Sequence, residues 1–204
     1  MKRIFVLIFC LMAVLSCCNA PKCGEGEMSF DEVIRTRRSV RSYDASRSIS
    51  QESVRTLIET ALQAPSWANT ESSRYYVVMQ DAEKLEALKK LTLGNYDRIS
   101  GAPVLIFSTY VKGLAGHRQG NPVDDIADGW GAYDNGLSNA YFILKARQMG
   151  FDTLIMGMRD SDGIRSLLNI PEDEILMAAI SLGYRDGEPR NAPRKQVDEV
   201  SKFF

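Results

Sequence analysis

The sequence predicts a single α+β domain in which a mixed sheet is wrapped by helices. Two helical patterns come first along the chain, and strand and helix patterns then alternate to its end, without an internal repeat or a linker. The chain has 204 residues, of which 45% are hydrophobic and 25% charged, so it is long enough to bury a real core. This composition excludes a disordered or low-complexity protein.

Helix and strand signals locate the individual elements. Ser29 and Glu32 form a capping-box pattern that predicts a short helix ending near Arg38. Ser50 caps a second predicted helix, which Pro65 ends. Three further helices are predicted: one capped by Asp81, one over residues 129–149 and one over residues 161–168. Four strands are predicted, over residues 75–79, 104–107, 153–156 and 175–182.

Two segments between these elements have distinctive compositions. Residues 104–107 are a continuous apolar run, which predicts a central strand buried on both faces. Residues 113–128 hold three glycines, a proline and three aspartates, and predict a long loop that acts as a lid or moves. His117 lies in this loop and is a candidate for substrate contact, although loop histidines are mostly solvated. Asp124 and Asp125 have no further ligand beside them, so we predict no metal site.

Charge and cysteine usage exclude several function classes. Lys and Arg number 25 against 26 Asp and Glu, a net charge of −1, which does not favour a nucleic-acid partner. The four cysteines, Cys10, Cys17, Cys18 and Cys23, all precede residue 24. The following residues therefore hold no disulfide scaffold, Cys-based zinc site or thiol nucleophile. A Ser/His/Asp triad would depend on the single histidine.

The first segment is predicted to be an export signal. A short cationic start precedes the apolar run Ile4–Leu15, which is too short to span a bilayer comfortably but suits a signal peptide. Val14–Cys17 resembles a bacterial lipobox, in which Cys17 would be lipidated; cleavage after Ala20 is the alternative. We expect a lipoprotein-type signal peptide (1–17), a tether (18–28) and one domain (29–204), and hence an exported protein, periplasmic or membrane-anchored.

Arginines cluster at the end of the first predicted helix. Arg37, Arg38 and Arg41 follow Arg35 closely, and Ser39 lies among them. Such like charges repel unless an anion or several acids offset them, and guanidinium groups with a hydroxyl suit phosphate oxygens. A solvated charged face is the competing interpretation of this pattern alone. A nucleic-acid patch fits poorly with the near-neutral total charge.

Three further motifs accompany the arginines. Ala64–Asn69 (APSWAN) follows the second helix, Ile155–Gly157 ends a late strand, and Pro193–Lys195 lies in the tail. With the R-x-S-x-R segment, these motifs make residues 29–200 resemble the nitroreductase-like flavoprotein family. In that family such segments surround one flavin mononucleotide (FMN). The resemblance implies a three-layer, mostly antiparallel α+β fold and a homodimer.

The resemblance also implies how the phosphate end of FMN is held. Arg37, Arg38 and Ser39 would bind the phosphate and the ribityl chain. Arg194 and Lys195 would join them from the far end of the chain. A phosphate monoester carries about −1.5 to −2 charges at pH 7, so a few cations suffice to balance it.

At the ring end, the resemblance assigns Arg41 to the N1/O2 edge of the isoalloxazine. A fixed cation there favours the reduced flavin, so Arg41 is the residue with a catalytic effect. The backbone of Met156 and Gly157 would approach the ring near N5, which a glycine allows because it has no Cβ. Three residues would reach the flavin from the partner subunit: Pro65, Ser66 and Asn69.

The implied activity is transfer of electrons from NAD(P)H through FMN to a nitroaromatic, a quinone or a similar acceptor. The helix Gly129–Met149 is the predicted dimer element. One departure from the family pattern is Glu71, where the family has glutamine.

Because NAD(P)H is a cytoplasmic reductant, the export signal leaves two alternatives open: an exported lipoprotein that binds flavin without turnover, and a tethered module that has lost the cofactor.

Overall fold

The computed structural model describes residues 28–204, so the predicted signal peptide and nearly all of the predicted tether lie outside the described residues. The helices are α1 (Phe30–Thr36), α2 (Gln51–Ala61), α3 (Ala82–Lys90), α4 (Tyr96–Ile99), α5 (Gly129–Gln148) and α6 (Ser161–Leu168). The strands are β1 (Ser73–Val78), β2 (Val104–Val111), β3 (His117–Arg118), β4 (Asn121–Pro122), β5 (Asp152–Met156) and β6 (Glu174–Gly183).

The main sheet has the strand order β1-β2-β6-β5, and every neighbouring pair is antiparallel. Outside the named strands, Ser39 forms an isolated parallel bridge with Thr153 of β5, so the segment after α1 lies along this edge of the sheet. The residues of β2 are buried up to Tyr110, which confirms the central strand predicted from its apolar run. A continuous apolar strand is stable in this position because helices cover both of its faces.

Helices pack on both faces of the sheet and give three layers. On one face α2 and α5 enclose a core that includes Leu57, Phe142 and Ile180. On the other face α3, α4 and α6 pack around Leu88 and Phe107. The capping box at Ser29 forms as predicted, with both of its hydrogen bonds present.

The segment 113–128 is more ordered than the predicted long loop, and that prediction is wrong in part. It contains the hairpin β3–β4. Asp124 also stabilises the segment. Its carboxylate accepts hydrogen bonds from the backbone N–H groups of Ile126 and Ala127, and Trp130 Nε1 donates a third at 2.8 Å. His117 Nδ1 lies 3.0 Å from the Ala115 carbonyl oxygen, so the histidine is tied to its own loop.

Helix α5 buries several polar side chains beside the apolar Phe142, and it exposes large side chains on its other face, unlike an ordinary surface helix. Asn135 accepts a hydrogen bond from Ser108 Oγ at 2.7 Å and donates one to the Thr109 carbonyl at 2.9 Å, so β2 supplies partners for this buried amide. The opposite face carries a ridge of mostly apolar residues that we call the α5 stripe: Tyr133, Gly136, Leu137, Ala140, Tyr141 and Leu144. Tyr133 is 60% exposed.

A buried carboxylate joins α1, α5 and the end of the sheet. Asp152 at the start of β5 accepts two hydrogen bonds from Arg185, at 2.6 and 2.7 Å, and lies 3.5 Å from Arg147 of α5. Both arginines also bond Thr36, the last residue of α1: Arg147 Nε donates to its hydroxyl at 3.1 Å and Arg185 to its carbonyl at 3.4 Å. The end of α1 is therefore fixed against the sheet.

Replacement of Asp152 by alanine tests this junction. Only 2% of the Asp152 side chain is exposed, so Asp152→Ala leaves Arg185 without its partner in a mostly buried site. We expect the free energy of unfolding to fall by about 3 kcal/mol, the lower end of the range for a broken buried pair, because Arg185 remains 21% exposed. Urea denaturation measures the change, with the exposed Asp125→Ala as control; equal effects of the two variants would contradict the assignment.

Candidate functional site

Three arginines from the two ends of the chain lie together without an acidic partner. The pKa of Arg37 is lowered first by burial and then by the positive charges of Arg194 and Arg38, so the three groups are close enough to repel. Within residues 28–204, none of them forms an ion pair with a carboxylate. We call Arg37, Arg38 and Arg194 the arginine cluster. Its uncompensated charge favours a bound anion.

The backbone after α1 places the first part of the cluster at the edge of the sheet. Arg37 leaves the helix in an extended conformation, and Arg38 Nη1 donates to its carbonyl at 2.8 Å. Ser39 is exposed beside the bridged Thr153, and Arg41 is exposed with its Nη1 3.1 Å from the Ser39 carbonyl oxygen. The segment thus presents cations and a hydroxyl to solvent. Lys195 is also exposed, next to Arg194 in the tail.

The end of β5 provides a second part of the candidate site. The side chain of Met156 is buried in the core, so only its backbone is available. Gly157 is exposed, and a Cβ there would meet nothing within 4 Å. Arg159 Nη1 donates to the Gly157 carbonyl at 2.5 Å and the other Nη to that of Leu176, which fixes this peptide group.

The face of β5 between these two parts is apolar and open. Ile155 is 45% exposed, whereas the other residues of β5 are buried. Gly157 lies about 13 Å along the chain from Thr153, at about 3.3 Å per strand residue. The arginines and the glycine therefore mark the two ends of an elongated site at this sheet edge, with an apolar side chain between them.

The turn that carries Pro65, Ser66 and Asn69 has a strained backbone. Asn69 and Glu71 both lie in the left-handed region, with φ of 56° and 48°. Ser66 Oγ accepts from the Glu71 backbone N–H and Asn69 Nδ2 donates to Glu71 Oε1, both at 3.1 Å. Glu71, where the family has glutamine, thus stabilises the turn itself. Trp67 is half-buried here.

Within one chain this turn lies far from the arginine cluster. Asp134, near the start of α5, accepts a hydrogen bond from the turn through Trp67, whereas Arg147, near the end of α5, contacts Thr36 beside the cluster. Thirteen residues of α-helix separate the two contacts, a distance of about 20 Å along the axis. Within one chain, the site residues predicted from the sequence therefore form two groups: the arginine cluster lies near the end of α5, and the 65–71 turn lies near its start.

Comparison with known proteins shows which family has this arrangement of helices and strands. Residues 34–184 match the model of the Nitroreductase family. The chain belongs to the nitroreductase family. The nitrobenzene nitroreductase of Ectopseudomonas oleovorans is 24% identical over 216 residues, which cover 85% of this chain and 95% of that protein. MhqN of Bacillus subtilis, by its name an NAD(P)H nitroreductase, is 24% identical over 86% of this chain and 98% of its own.

Solved structures show that the chain has the nitroreductase fold. A structure from Exiguobacterium sibiricum, determined in complex with FMN, superposes with a TM-score of 0.77 at 23% identity and covers 87% of this chain and 98% of that chain. A nitroreductase family protein from Streptococcus pneumoniae has a TM-score of 0.76 at 22% identity, covering 86% of this chain and all of that one. The predicted α+β class with an antiparallel sheet between helices is confirmed.

Three residues around the candidate site were given no role by the sequence analysis: Ile155, Arg159 and Asp134. The alternation along β5 places Ile155 on the same face as Thr153 and Gly157, a signal that was available in the sequence. Arg159 and Asp134 form hydrogen bonds with backbone groups of other segments, and no local sequence pattern marks them.

In the part of the chain that the structure describes, no group of three His, Cys, Asp or Glu side chains could hold a metal ion. The helices of residues 28–204 include none with the length and apolar character of a membrane span.

Inorganic phosphate provides a test of the arginine cluster in flavin-free protein. At ten times its Kd, a ligand of the folded state adds about 1.4 kcal/mol, which corresponds to a rise in Tm of about 3 to 6 °C for a chain of this size. We expect wild type to show this rise in a thermal melt and Arg37→Ala to lose most of it. Arg55→Ala, the same change at an exposed position of α2, should keep it; an equal rise in both variants would contradict the site.

Proposed function

We propose that the protein is an FMN-dependent oxidoreductase that passes electrons from NAD(P)H to a nitroaromatic, a quinone or a similar acceptor, and that it works as a homodimer. The observation that carries the proposal is the arginine cluster, in which Arg194 lies close to Arg37 and Arg38 and no carboxylate of residues 28–204 forms an ion pair with them. Membership of the nitroreductase family supports the reaction class.

The donor set fits the phosphate end of FMN. A phosphate monoester carries about −1.5 to −2 charges at pH 7 and offers oxygens to several guanidinium groups at once. Arg37, Arg38 and Arg194 would bind it, with the Ser39 hydroxyl and Lys195 beside them. Burial and, after it, the positive charges of Arg194 and Arg38 lower the pKa of Arg37, and a bound anion would relieve that repulsion. When bound, FMN supplies the hydride and electron chemistry that no side chain can supply.

The other end of the site suits a flat ring. Gly157 leaves open space above its backbone, and Arg159 holds its carbonyl so that this peptide group keeps one orientation. Ile155 offers an apolar surface beside it. Arg41 would place a cation at the edge of the ring that becomes negative on reduction. Such an open apolar surface favours flat, uncharged acceptors; one relative is named for nitrobenzene.

The α5 stripe supports the homodimer. An apolar helix face without a cover in one copy favours burial against a second copy. If two α5 helices pair antiparallel about a two-fold axis near Ala140, residue 134 of one helix lies beside residue 146 of the other. That pairing brings the 65–71 turn of each copy to the arginine cluster of its partner. Two complete sites would then lie at the subunit interface.

The predicted export signal supports a second candidate, an exported flavin-binding lipoprotein without NAD(P)H-dependent turnover. The observation that supports it is the apolar run before Cys17, which predicts export from the cytoplasm. An exported protein would have no access to NAD(P)H, because NAD(P)H is a cytoplasmic reductant. Purified protein that is yellow but does not oxidise NADH or NADPH in the presence of a quinone would favour this candidate. Turnover with either nucleotide would favour the oxidoreductase, as the name of MhqN suggests. Mass spectrometry of membrane-extracted protein would test lipidation of Cys17.

Two arginine variants test the flavin assignment. Because hydrogen bonds to charged groups contribute about 1.5 to 3 kcal/mol, we expect Arg37→Ala to weaken FMN binding about 10- to 100-fold. Arg41→Ala should retain FMN but lower its two-electron reduction potential by about 20 mV, the equivalent of about 1 kcal/mol for an exposed charge. Flavin fluorescence titration and spectroelectrochemistry measure the two effects. An unchanged potential in Arg41→Ala would remove the role given to that residue.

A charged residue in the α5 stripe tests the homodimer. We expect Leu137→Arg to dissociate it, because the new guanidinium would be buried without a partner at the centre of the interface. Light scattering after size-exclusion chromatography measures the mass. Leu167→Arg, the same change at an exposed position of α6, should stay dimeric. A monomeric wild type at micromolar concentration, or a dimeric Leu137→Arg, would contradict the proposal.

A further inference from the structure

We propose that Asp134 is a positioning residue that holds the flavin-contacting turn of its own subunit in place for the site of the partner subunit. The inference rests on the FMN-binding homodimer proposed above. It assigns a role to a buried carboxylate that lies on α5, outside all of the motifs that match the family pattern.

The carboxylate makes one specific contact with the turn. Asp134 is 3% exposed, and its Oδ2 accepts the Trp67 backbone N–H at 2.9 Å. Burial raises the pKa of Asp134, and the hydrogen bond from Trp67 partly offsets that effect. A buried carboxylate is costly unless it is hydrogen-bonded, so its place in α5 is explained by the bond it accepts.

The turn needs an external hold because its conformation is strained. Ala68, Asn69 and Glu71 all have φ between 46° and 56°, and none of them is a glycine. In the described part of the chain, all other hydrogen bonds of residues 65–71 stay within residues 66–74. The Trp67–Asp134 bond is therefore the hydrogen bond that ties this strained turn to α5. Without it, the turn would relax towards ordinary backbone conformations and move Ser66 and Asn69.

Because of where Asp134 lies on α5, the turn that it holds would belong to the site of the partner subunit. It lies about 20 Å from the Arg147–Thr36 contact that fixes the arginine cluster of the same chain, measured along the helix axis. Antiparallel pairing of the α5 stripes carries the turn that Asp134 holds to the partner's cluster instead. Asp134 of one subunit thus positions Ser66 and Asn69 for the flavin of the other.

The first experiment measures FMN affinity and stability in three variants of the full chain. We expect Asp134→Ala to weaken FMN binding about 10- to 100-fold, the loss typical of a hydrogen bond to a charged group. Asp134→Asn should restore most of the affinity, because its amide oxygen can accept the same bond. Asn135→Ala is the matched control: it is an adjacent buried polar residue of α5 whose partners are Asn139 of the same helix and residues of β1 and β2, not residues 65–71. It should lower stability and leave FMN affinity unchanged.

The second experiment uses mixed dimers of two differently tagged chains, one with Arg37→Ala and the other with Asp134→Ala. If Asp134 acts on the partner's site, one site carries both changes and the other carries none. The purified mixed dimer then binds one FMN with wild-type affinity. If Asp134 acts within its own chain, each site carries one change and no site has wild-type affinity.

The outcomes separate this inference from the proposed function. Weak binding by Asp134→Ala, rescue by Asp134→Asn and one wild-type site in the mixed dimer support it. Wild-type FMN affinity in Asp134→Ala, equal loss in Asn135→Ala, or no wild-type site in the mixed dimer overturns it while FMN binding by the unmodified protein stands. Unmodified protein that binds no FMN overturns the proposed function and this inference together.

Discussion

The buried contact of Asp152 with Arg185 and Arg147 is the interaction on which the geometry of the candidate site depends. It links the start of β5, the second residue after β6 and the end of α5, and both arginines form hydrogen bonds with Thr36. The arginine cluster begins at the next residue. A run of like charges would otherwise pull the end of α1 away from the sheet. The carboxylate fixes the backbone there while the following guanidinium groups remain without acidic partners.

A second constraint is the set of polar side chains that α5 buries. Its buried Asp134 and Asn135 would destabilise the core if their partners were absent, because each buried polar group must replace its lost water contacts. The bonds to Trp67, Ser108 and Thr109 supply those partners. The opposite face of the helix carries the α5 stripe, in which Tyr133 and Tyr141 are exposed. One helix thus holds the turn through Asp134 and leaves large side chains on the surface of the subunit.

Much of the fold followed from local signals, because these signals are physical causes of the elements. The capping box at Ser29, the cap at Ser50 and the apolar run 104–107 each act within a few residues. The short helix α4 and the hairpin inside residues 113–128 escaped prediction, since neither is long enough to show a period. Asp134 and Arg159 escaped for a different reason: their partners are backbone groups distant in sequence, which no residue pattern reveals.

The separation of the site into two groups along α5 has a thermodynamic consequence. If each FMN contacts the arginine cluster of one copy and the turn of the other, the ligand binds the assembled state more tightly than the separated chains. Cofactor binding and subunit association then strengthen each other by the same factor, as linkage requires. The repulsion within the arginine cluster would act in the same direction, because the anion that relieves it would also bridge the two copies. In such a dimer α5 would hold the turn and form the interface, so assembly would be part of the binding site.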